Sequence, residues 1–272
     1  MVNSPLPVHK RRYSQDFAKK EQRLHFNRFQ QLQKVMDSEN GTIFEAINFK
    51  TKETVILKRI NTDETSQVPT EISFHFAAYK AAPEFVVKPL NYYFDQGHFW
   101  LVMEKPVGYS DLLQVAIDYA PIDEQSVFKI GEKLTTACHL LNNAGIVHGD
   151  IKVENVLMSL KTLHIKLIDF GSARAITDIS APNGTPKYYP FDYFDSRIYN
   201  HQDFTTWSIG AILYILLVGE WCWDEDELEW FRDHESELHL SSNAISLIDQ
   251  TLTRNRLSPL SLLSFLSHLS TE

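Results

Sequence analysis

The sequence is poor in cysteine and lacks a long apolar run, and each absence excludes a class of protein. Its two cysteines, Cys138 and Cys222, form no metal-binding or redox motif. They indicate buried thiols in a reducing intracellular compartment, the cytoplasm or the nucleus. The longest apolar run, Ile209 to Val218, is too short to span a bilayer, and residues 1–10 lack the apolar core of a signal peptide. We therefore expect a protein that is neither secreted nor embedded in a membrane.

Composition and charge indicate the kind of partner. The 272 residues, 43% hydrophobic and 22% charged, are typical of a globular protein of one or two domains. Residues 1–34 carry eight Lys or Arg and two acidic residues, so that the net charge of −9 becomes −15 on the remainder. An acidic body attracts basic protein partners at long range. The basic arm fits a solvated helix, and contact with nucleic acid, with a membrane surface or with the acidic body is the alternative. We expect neither nucleic-acid nor membrane binding.

Hydrophobic periodicity divides the chain into a strand-rich part and a helix-rich part. Residues 1–33 form a basic extension, with helix signals across 14–34. Residues 34–105 predict about five strands and one helix, which Pro69 opens. Residues 106–272 predict mainly helices. The predicted elements are strands at Val86–Tyr93, His98–Met103, Val156–Met158 and Ile165–Ile168, and helices at Glu124–Ala144, Phe204–Val218, Asp226–Arg232, Ser242–Thr253 and Pro259–Leu269. This pattern is an α+β arrangement of two lobes, with the expected ligand site in the cleft between them.

A set of polar residues with a specific order and spacing indicates the chemistry. The octet from His148 to Asn155 is followed by Asp-Phe-Gly at 169–171, and Lys58 and Glu71 lie far upstream. This order resembles the signature set of protein kinases: a strand lysine, a helix glutamate, H-R-D-L-x-x-x-N and D-F-G. The resemblance covers about residues 34–270. It implies the bilobal kinase fold, with a small β-rich lobe and a larger helical lobe, and phosphoryl transfer from ATP.

The resemblance assigns residues to ATP and to its metal ion. Lys58 would hold the α- and β-phosphates, and Glu71 would fix the position of Lys58. Asn155 and Asp169 would hold Mg²⁺, a hard cation that prefers oxygen ligands, with Mn²⁺ as the alternative. An exposed strand lysine and an exposed helix acid are common when each is taken alone, and only their combination with the later motifs carries the assignment.

The resemblance also assigns catalytic roles. Asp150 would accept the proton of the substrate hydroxyl group, and Lys152 would stabilise charge on the transferred phosphoryl group. Thr185 matches the threonine that hydrogen-bonds this aspartate and lysine in the family. A lysine two residues after the catalytic aspartate resembles serine/threonine kinases more than tyrosine kinases. His148 fits a packed structural histidine better than a base.

The segment between the lobes resembles the hinge of Pim-type kinases. Met103 and Glu104 are followed by Lys105 and then by Pro106, where the family usually offers a backbone N–H to adenine. Proline has no such donor. One neutral hydrogen bond contributes about 0.5–1.5 kcal/mol, so we expect weakened rather than abolished ATP binding. The carbonyl group of Glu104 would still accept from adenine, and Asp111 would reach the ribose.

Glycine is scarce where the kinase family concentrates it. In the segment that stands for G-x-G-x-x-G-x-V, only Gly41 remains, Met36 and Ser38 replace the first two glycines, and Ile43 takes the valine position. The roof over ATP is therefore expected to differ in shape, because glycine permits close approach of the backbone to phosphates.

Other family positions are also changed. Gly149 replaces the arginine of H-R-D, which normally binds an activation-loop phosphate. Together with the short loop at 172–183, this change predicts activity without loop phosphorylation. Thr205 replaces the aspartate of D-x-W-S-x-G, which Pim-type kinases also lack. Asp192 replaces the A-P-E glutamate, and either Arg254 or Arg256 could be its partner.

These losses raise a second hypothesis, that of a pseudokinase acting as a scaffold or nucleotide-binding regulator. A missing Lys58, Asp150, Asn155 or Asp169 would favour it. All four residues are present, which favours an enzyme.

Acidic residues near the predicted acceptor site indicate the substrate. Glu154 lies inside the catalytic octet, and Glu220 follows the long apolar helix. Pairing of carboxylates with arginine predicts a basophilic kinase. The acidic run at 224–227 fits a solvated helix start equally well.

The small size, the eroded glycine loop and the H-G-D variant resemble the small protein kinases of insect baculoviruses. That resemblance implies a late role in infection and an arginine-rich, DNA-packaging substrate. A divergent Pim-like cellular kinase or another viral kinase is the alternative. Residues 1–33 match nothing in the family, and they could cap the small lobe or mediate a homodimer.

Overall fold

The computed structural model describes residues 28–38, 41–61, 67–221, 225–233 and 238–271. Strands that contain many β-branched and aromatic residues form one antiparallel sheet in the small lobe. Its strands, in the spatial order β1-β2-β3-β5-β4, are β1 (Phe29–Ser38), β2 (Gly41–Asn48), β3 (Thr54–Ile60), β4 (Pro89–Asp95) and β5 (His98–Glu104). Helix α1 (Thr70–Ala81) begins directly after Pro69. The predicted five strands and one helix are confirmed.

The first strand corrects one prediction. A helix was expected across residues 14–34, but residues 29–34 belong to β1, which pairs with β2. Phe29 is buried against Tyr93, with ring centroids 6.4 Å apart. A long-range sheet contact therefore overrides the local helical pattern. The rest of that predicted helix, and the basic arm with it, lies outside the described residues.

The large lobe is mainly helical, as predicted. Its elements are β6 (Tyr109–Asp111), α2 (Leu112–Tyr119), α3 (Glu124–Asn143), β7 (Ile146–Val147), β8 (Val156–Ser159), β9 (Ile165–Leu167), β10 (Arg174–Ala175), α4 (Phe191–Ser196), α5 (His201–Val218), α6 (Glu225–Asp233), α7 (Ser242–Thr251) and α8 (Pro259–Leu269). The sequence patterns missed α2 and α4, which are short. They also placed the start of α5 at Phe204, whereas the helix begins three residues earlier, at His201. The earlier start is stabilised by the Asn200 side chain, which caps the helix by accepting from the N–H of Gln202.

The core of the large lobe is built around α5, which is buried along nearly its whole length. Helices α3, α7 and α8 surround it, and their apolar faces complete one continuous cluster. Cys138 lies in this cluster, and burial raises the pKa of its thiol to about 12. The expected buried thiol is thus confirmed at Cys138, while Cys222 lies outside the described residues. No helix within the described ranges is long and apolar enough to cross a membrane.

Candidate active site

The carboxylate of Asp150 lies at the centre of a hydrogen-bonded cluster between β7 and β8. The backbone N–H of Thr185 donates to Asp150 Oδ1 over 2.7 Å. The Asn155 side-chain amide donates to Asp150 Oδ2 over 3.0 Å and to the Asp150 carbonyl oxygen over 2.9 Å. The carboxylate is therefore held in one orientation, as a proton acceptor requires.

Lys152 links the catalytic loop to the segment that carries Thr185. Its Nζ lies 2.7 Å from Asp150 Oδ2 and donates to the Thr185 hydroxyl group over 2.7 Å. The predicted contacts of Thr185 are therefore present in a modified form, because its hydroxyl group meets the lysine whereas its backbone N–H meets the aspartate. The cluster places one positive charge beside the Asp150 carboxylate.

Lys58 joins the small lobe to the large lobe through two carboxylates. Its Nζ lies 2.6 Å from Glu71 Oε1 and 2.8 Å from Asp169 Oδ1, and its side chain is 3% exposed. Burial alone would lower the pKa of Lys58, but the two carboxylates raise it. Burial also acts to raise the pKa of Asp169, and the Lys58 ammonium overcomes that effect and lowers it. Lys58 and Asp169 are therefore both charged at neutral pH.

Glu71 is also buried, with a side chain that is 6% exposed. Burial raises the pKa of its carboxyl group, and Lys58 offsets this only in part. The position of Glu71 on α1 follows from the packing of that helix beneath the sheet, where Ile72 is also buried. The predicted pairing of Lys58 with Glu71 is present.

The segment 169–171 is held in a fixed conformation. Asp169 has a φ of +60°, a left-handed conformation that is uncommon outside glycine, and its Oδ1 accepts from the N–H of Gly171 over 3.1 Å. Phe170 is fully buried between His75 and His148, and each ring centroid lies 4.8 Å away. His148 also contacts the Ile168 carbonyl oxygen over 3.0 Å, and burial lowers its pKa. It is therefore the structural histidine that was expected.

The hinge side of the cleft combines polar anchors with apolar walls. The Glu104 carboxylate lies 2.5 Å from Lys166 Nζ and accepts from the N–H of Lys88 over 3.0 Å. Asp111 caps α2 through Gln114, so one of its carboxylate oxygens has a structural role that was not foreseen.

Three apolar residues near Met103 were also missed. Ile56 in the small lobe, with Leu157 and Ile168 in the large lobe, packs against the buried cluster that contains Met103. Ile56 stands where the kinase pattern has alanine, two residues before Lys58, so its place in the motif offered a signal. Such walls suit a flat aromatic base.

Comparison with known families agrees with this geometry. The family model described as "Protein kinase domain" matches residues 29–269. The chain belongs to the protein kinase family. The match begins at Phe29, where β1 begins.

Similar kinases are found in several organisms. The serine/threonine-protein kinase pim-2 of Danio rerio is 28% identical over 173 residues, or 62% of this chain and 56% of the relative. The citron rho-interacting kinase of Rattus norvegicus is 36% identical over 145 residues, or 49% of this chain and 7% of the relative. The serine/threonine-protein kinase prk-2 of Caenorhabditis elegans is 30% identical over 155 residues, or 56% of this chain and 35% of the relative. The chain thus spans less than two thirds of the length of each relative.

The residues present fit the ATP and Mg²⁺ that protein kinases generally use. Because the Asn155 amide nitrogen donates to Asp150, its oxygen Oδ1 is the atom that can coordinate a cation. The contacts of Asp169 fall on Oδ1, which leaves Oδ2 for the same cation. Within the described ranges no group of three or more His, Cys, Asp or Glu can hold a metal alone. Mg²⁺ would therefore take further ligands from phosphate and water, as it does in phosphoryl-transfer sites.

The segment that the sequence predicts as the roof over ATP lies in the hairpin of β1 and β2. Gly41 is nevertheless required by the sheet, because a Cβ there would lie 2.1 Å from the carbonyl oxygen of Arg59 on β3. Lys58 is paired in register with Ile43. The single surviving glycine therefore permits close strand packing, and its presence alone does not indicate a phosphate-binding loop.

The kinase has no room for the arginine of H-R-D. Gly149 has a φ of +82°, and a Cβ there would lie 2.3 Å from the carbonyl oxygen of Ser172. Arg174 on β10 organises the loop at 172–183 instead. Its guanidinium donates to the carbonyl oxygens of Ser180 and Ala181 over 3.0 and 3.2 Å and to Asn183 Oδ1 over 2.5 Å.

The partner of Asp192 is decided by the structure. Arg256, whose side chain is 2% exposed, forms an ion pair with Asp192 and lies over the Trp207 ring, 5.2 Å from its centroid. Arg254 pairs with Asp195 at 3.0 Å, with both side chains mostly exposed. The A-P-E-like segment is therefore anchored by Arg256.

The two acidic residues predicted to bind substrate lie in segments that both contact Tyr188. Glu154 lies in a 3₁₀ turn, Val153–Asn155, and its carboxylate is 3.4 Å from Lys187 Nζ and accepts from the Tyr188 hydroxyl group over 3.4 Å. Glu220 is exposed after the C-terminus of α5. Its neighbour Trp221 contacts the Tyr188 ring at a centroid distance of 6.4 Å, which places the two acidic segments side by side.

Proposed function

We propose that this chain is an ATP- and Mg²⁺-dependent serine/threonine protein kinase. The observation that carries the proposal is the Asp150 carboxylate, which Thr185 and Asn155 hold in place beside the Lys152 ammonium. Kinase catalysis depends mainly on positioning and on electrostatic stabilisation. The reaction also requires an ion pair between the strand lysine and the helix glutamate, and Lys58 and Glu71 form this pair.

Each of these residues has its own role in the transfer of the phosphoryl group. Asp150 accepts the proton of the substrate hydroxyl group as the hydroxyl oxygen attacks the γ-phosphorus of ATP. The bond from this phosphorus to the bridging oxygen of the β-phosphate breaks, and ADP leaves. Lys152 stabilises charge on the transferred group. Lys58 neutralises charge on the phosphates, and Asn155 and Asp169 supply oxygen ligands. Bound Mg²⁺ would supply further charge neutralisation. The fixed orientations of these groups lower the cost of reaching the transition state.

A basic substrate is supported by the charge around the acceptor site. Glu154 lies between Lys152 and Asn155 in the chain, so a residue that contacts it lies close to the acceptor hydroxyl group. Glu220 adds a second, exposed carboxylate, and its neighbour Trp221 contacts the Tyr188 ring. Arginine pairs bidentately with carboxylates, which favours arginine-rich segments.

Independence from activation-loop phosphorylation is supported by Arg174. Arg174 is 7% exposed and donates hydrogen bonds to a backbone carbonyl oxygen and to the Asn183 side chain of the loop. These contacts require no phosphate group on the loop. Its guanidinium also lies 5.2 Å from the centroid of the Tyr199 ring. The loop therefore has an internal cation that orders it in the unmodified protein.

Phosphatase treatment tests this point. The wild-type protein is expected to keep its activity after treatment, and Ser180→Ala is expected to remain active, because Arg174 also contacts backbone oxygens. Arg174→Met is expected to lose roughly tenfold or more in kcat, since several charge-assisted hydrogen bonds disappear. Loss of wild-type activity on dephosphorylation would contradict the proposal.

The resemblance to baculovirus kinases supports a viral setting and an arginine-rich, DNA-packaging protein as the substrate. The acidic body of the chain is compatible with such a basic partner. Comparison of a protamine-like peptide with a histone-tail peptide of equal charge, but with lysine in place of arginine, tests the arginine requirement. Equal rates on the two peptides would remove the support for this substrate class.

The decisive experiment is transfer of labelled phosphate from ATP with Mg²⁺ to an arginine-rich and to an acidic serine peptide. Asp169→Asn is the matched control, because it keeps the side-chain shape and removes the metal-binding charge. Transfer to the basic peptide that vanishes in the variant supports the proposal. Nucleotide binding without transfer to either peptide would favour the scaffold function instead.

A further inference from the structure

The chain places one of its own cations on the carboxylate that is proposed to bind substrate arginine. Lys187 lies in the 3₁₀ turn Pro186–Tyr188, directly after Thr185. Its Nζ is 3.4 Å from Glu154 Oε1, and the two side chains are 33% and 32% exposed. The pair is therefore accessible from solvent and hence to a bound peptide.

Two aromatic rings complete the surroundings of this cation. Lys187 Nζ lies 4.5 Å from the centroid of the Trp221 ring and 5.5 Å from that of Tyr188, and these rings are nearly perpendicular, at 77°. A carboxylate with two aromatic faces forms a site for a cation. We call the set Glu154, Tyr188 and Trp221 the cation box.

The cation box is close to the reaction centre. Glu154 lies two residues after Lys152 and directly before Asn155, both of which contact Asp150, and Tyr188 follows Thr185 by three positions. The Thr185 hydroxyl group accepts from Lys152 over 2.7 Å. A peptide whose hydroxyl group reaches Asp150 therefore presents a neighbouring side chain to the box.

We propose that the cation box is an arginine subsite that Lys187 occupies in the free kinase, and that a substrate arginine displaces Lys187. Arginine suits the exchange, because its planar guanidinium is more weakly hydrated than an ammonium, pairs bidentately and stacks on aromatic rings. Lys187 thereby sets the selectivity of the kinase for arginine. The inference deepens the proposed function and rests on it.

The cost of the exchange is modest. An ion pair that is one third exposed contributes little to stability, so Lys187 reduces arginine binding without blocking it. Replacing Lys187 by an uncharged residue should therefore raise kcat/KM for an arginine peptide by roughly twofold to fivefold. A peptide with alanine at the same position makes no contact with the box, and its rate should not change.

The test measures kcat/KM for pairs of serine peptides that differ only by arginine or alanine, with the arginine moved through the positions that flank the serine. The ratio at the most responsive position should rise in Lys187→Met and fall in Lys187→Arg, because arginine occupies the box more firmly than lysine. In Glu154→Gln the ratio should approach one. Combining Lys187→Met with Glu154→Gln should not change that ratio further. Lys161→Met, exposed in the loop between β8 and β9, controls for the loss of one positive charge.

The outcomes separate the two proposals. No transfer to either peptide by the wild type would refute the proposed function. Transfer with an unchanged ratio in Lys187→Met would refute the arginine subsite alone. A ratio for Lys187→Arg equal to that of the wild type would mean that Lys187 supplies only a structural positive charge. Thermal melting of each variant verifies folding, and Lys187→Gln provides a second variant if Lys187→Met is unstable.

Discussion

The Lys58 ammonium lies 2.6 Å from the Glu71 carboxylate, and this contact ties helix α1 to the catalytic cleft. Lys58 on β3 also reaches Asp169 in the large lobe, at 2.8 Å. One buried cation therefore fixes the small lobe, the helix and Asp169 relative to one another. This assembled arrangement is the one that phosphoryl transfer requires.

Glu71→Gln should impair catalysis while preserving side-chain shape. The substitution removes the negative charge that orients Lys58, and a hydrogen bond to a charged group contributes about 1.5–3 kcal/mol. We expect kcat/KM for ATP to fall by roughly tenfold to a hundredfold, measured by varying ATP at saturating peptide. Glu84→Gln is the control, because the Glu84 side chain is 70% exposed. An unchanged kcat/KM in Glu71→Gln would contradict the role of the pair.

Gly149→Ala should destabilise the protein far more than Gly97→Ala. Both glycines have positive φ, but a Cβ at Gly97 meets nothing within 4 Å, whereas one at Gly149 lies 2.3 Å from the Ser172 carbonyl oxygen. We expect a loss of about 1–2 kcal/mol for Gly97→Ala and of more than about 3 kcal/mol for Gly149→Ala. Urea unfolding gives both values. Similar losses in the two variants would show that Ser172 can move aside.

Arg256→Met should destabilise the large lobe, and Arg254→Met should not. Arg256 is buried and forms an ion pair with Asp192, whose side chain is 30% exposed. Removal of the cation should therefore lower the free energy of unfolding by about 2 kcal/mol or more. The pair of Arg254 with Asp195 is 63% and 69% exposed and should contribute less than about 1 kcal/mol. Thermal unfolding of the two variants compares them directly, and equal melting temperatures would refute the assignment of Arg256 as the anchor.

Acidification should destabilise the protein through His75. His75 Nε2 contacts the Val87 carbonyl oxygen over 2.7 Å, and burial lowers the pKa of His75 to about 4. The ordinary value of about 6.5 applies to the unfolded chain. Between these values only the unfolded chain binds the proton, so the free energy of unfolding falls as pH falls. The loss attributable to His75 between pH 7 and pH 5 is about 2 kcal/mol.

Comparison with His75→Leu isolates this effect. Urea unfolding at pH 7 and pH 5 should show a smaller drop in the variant than in the wild type. The lowered pKa of His148 acts in the same direction in both proteins, so the difference between them belongs to His75. Equal decreases in the free energy of unfolding in the two proteins would show that His75 does not cause the pH dependence.

Local patterns were sufficient for most of the secondary structure. The strands that flank Lys58 and the helix after Pro69 follow from periodicity and from proline chemistry, and helix α8 has the predicted bounds, Pro259–Leu269. The exception at β1 has a clear cause. The stretch 29–34 has a polar helical pattern in isolation, and only its pairing with β2 makes it a strand.

The sequence by itself determined the family and the candidate catalytic and metal-binding residues, because kinase motifs keep residue type, order and spacing within short segments. Only the tertiary structure decided which partner each side chain takes. Arg256 and Asp192 are 64 positions apart, and no local pattern separates Arg256 from Arg254. The space beside Gly149 and the placement of Lys187 against Glu154 likewise depend on segments that meet only when the chain folds, since burial and charge pairing are properties of the packed whole.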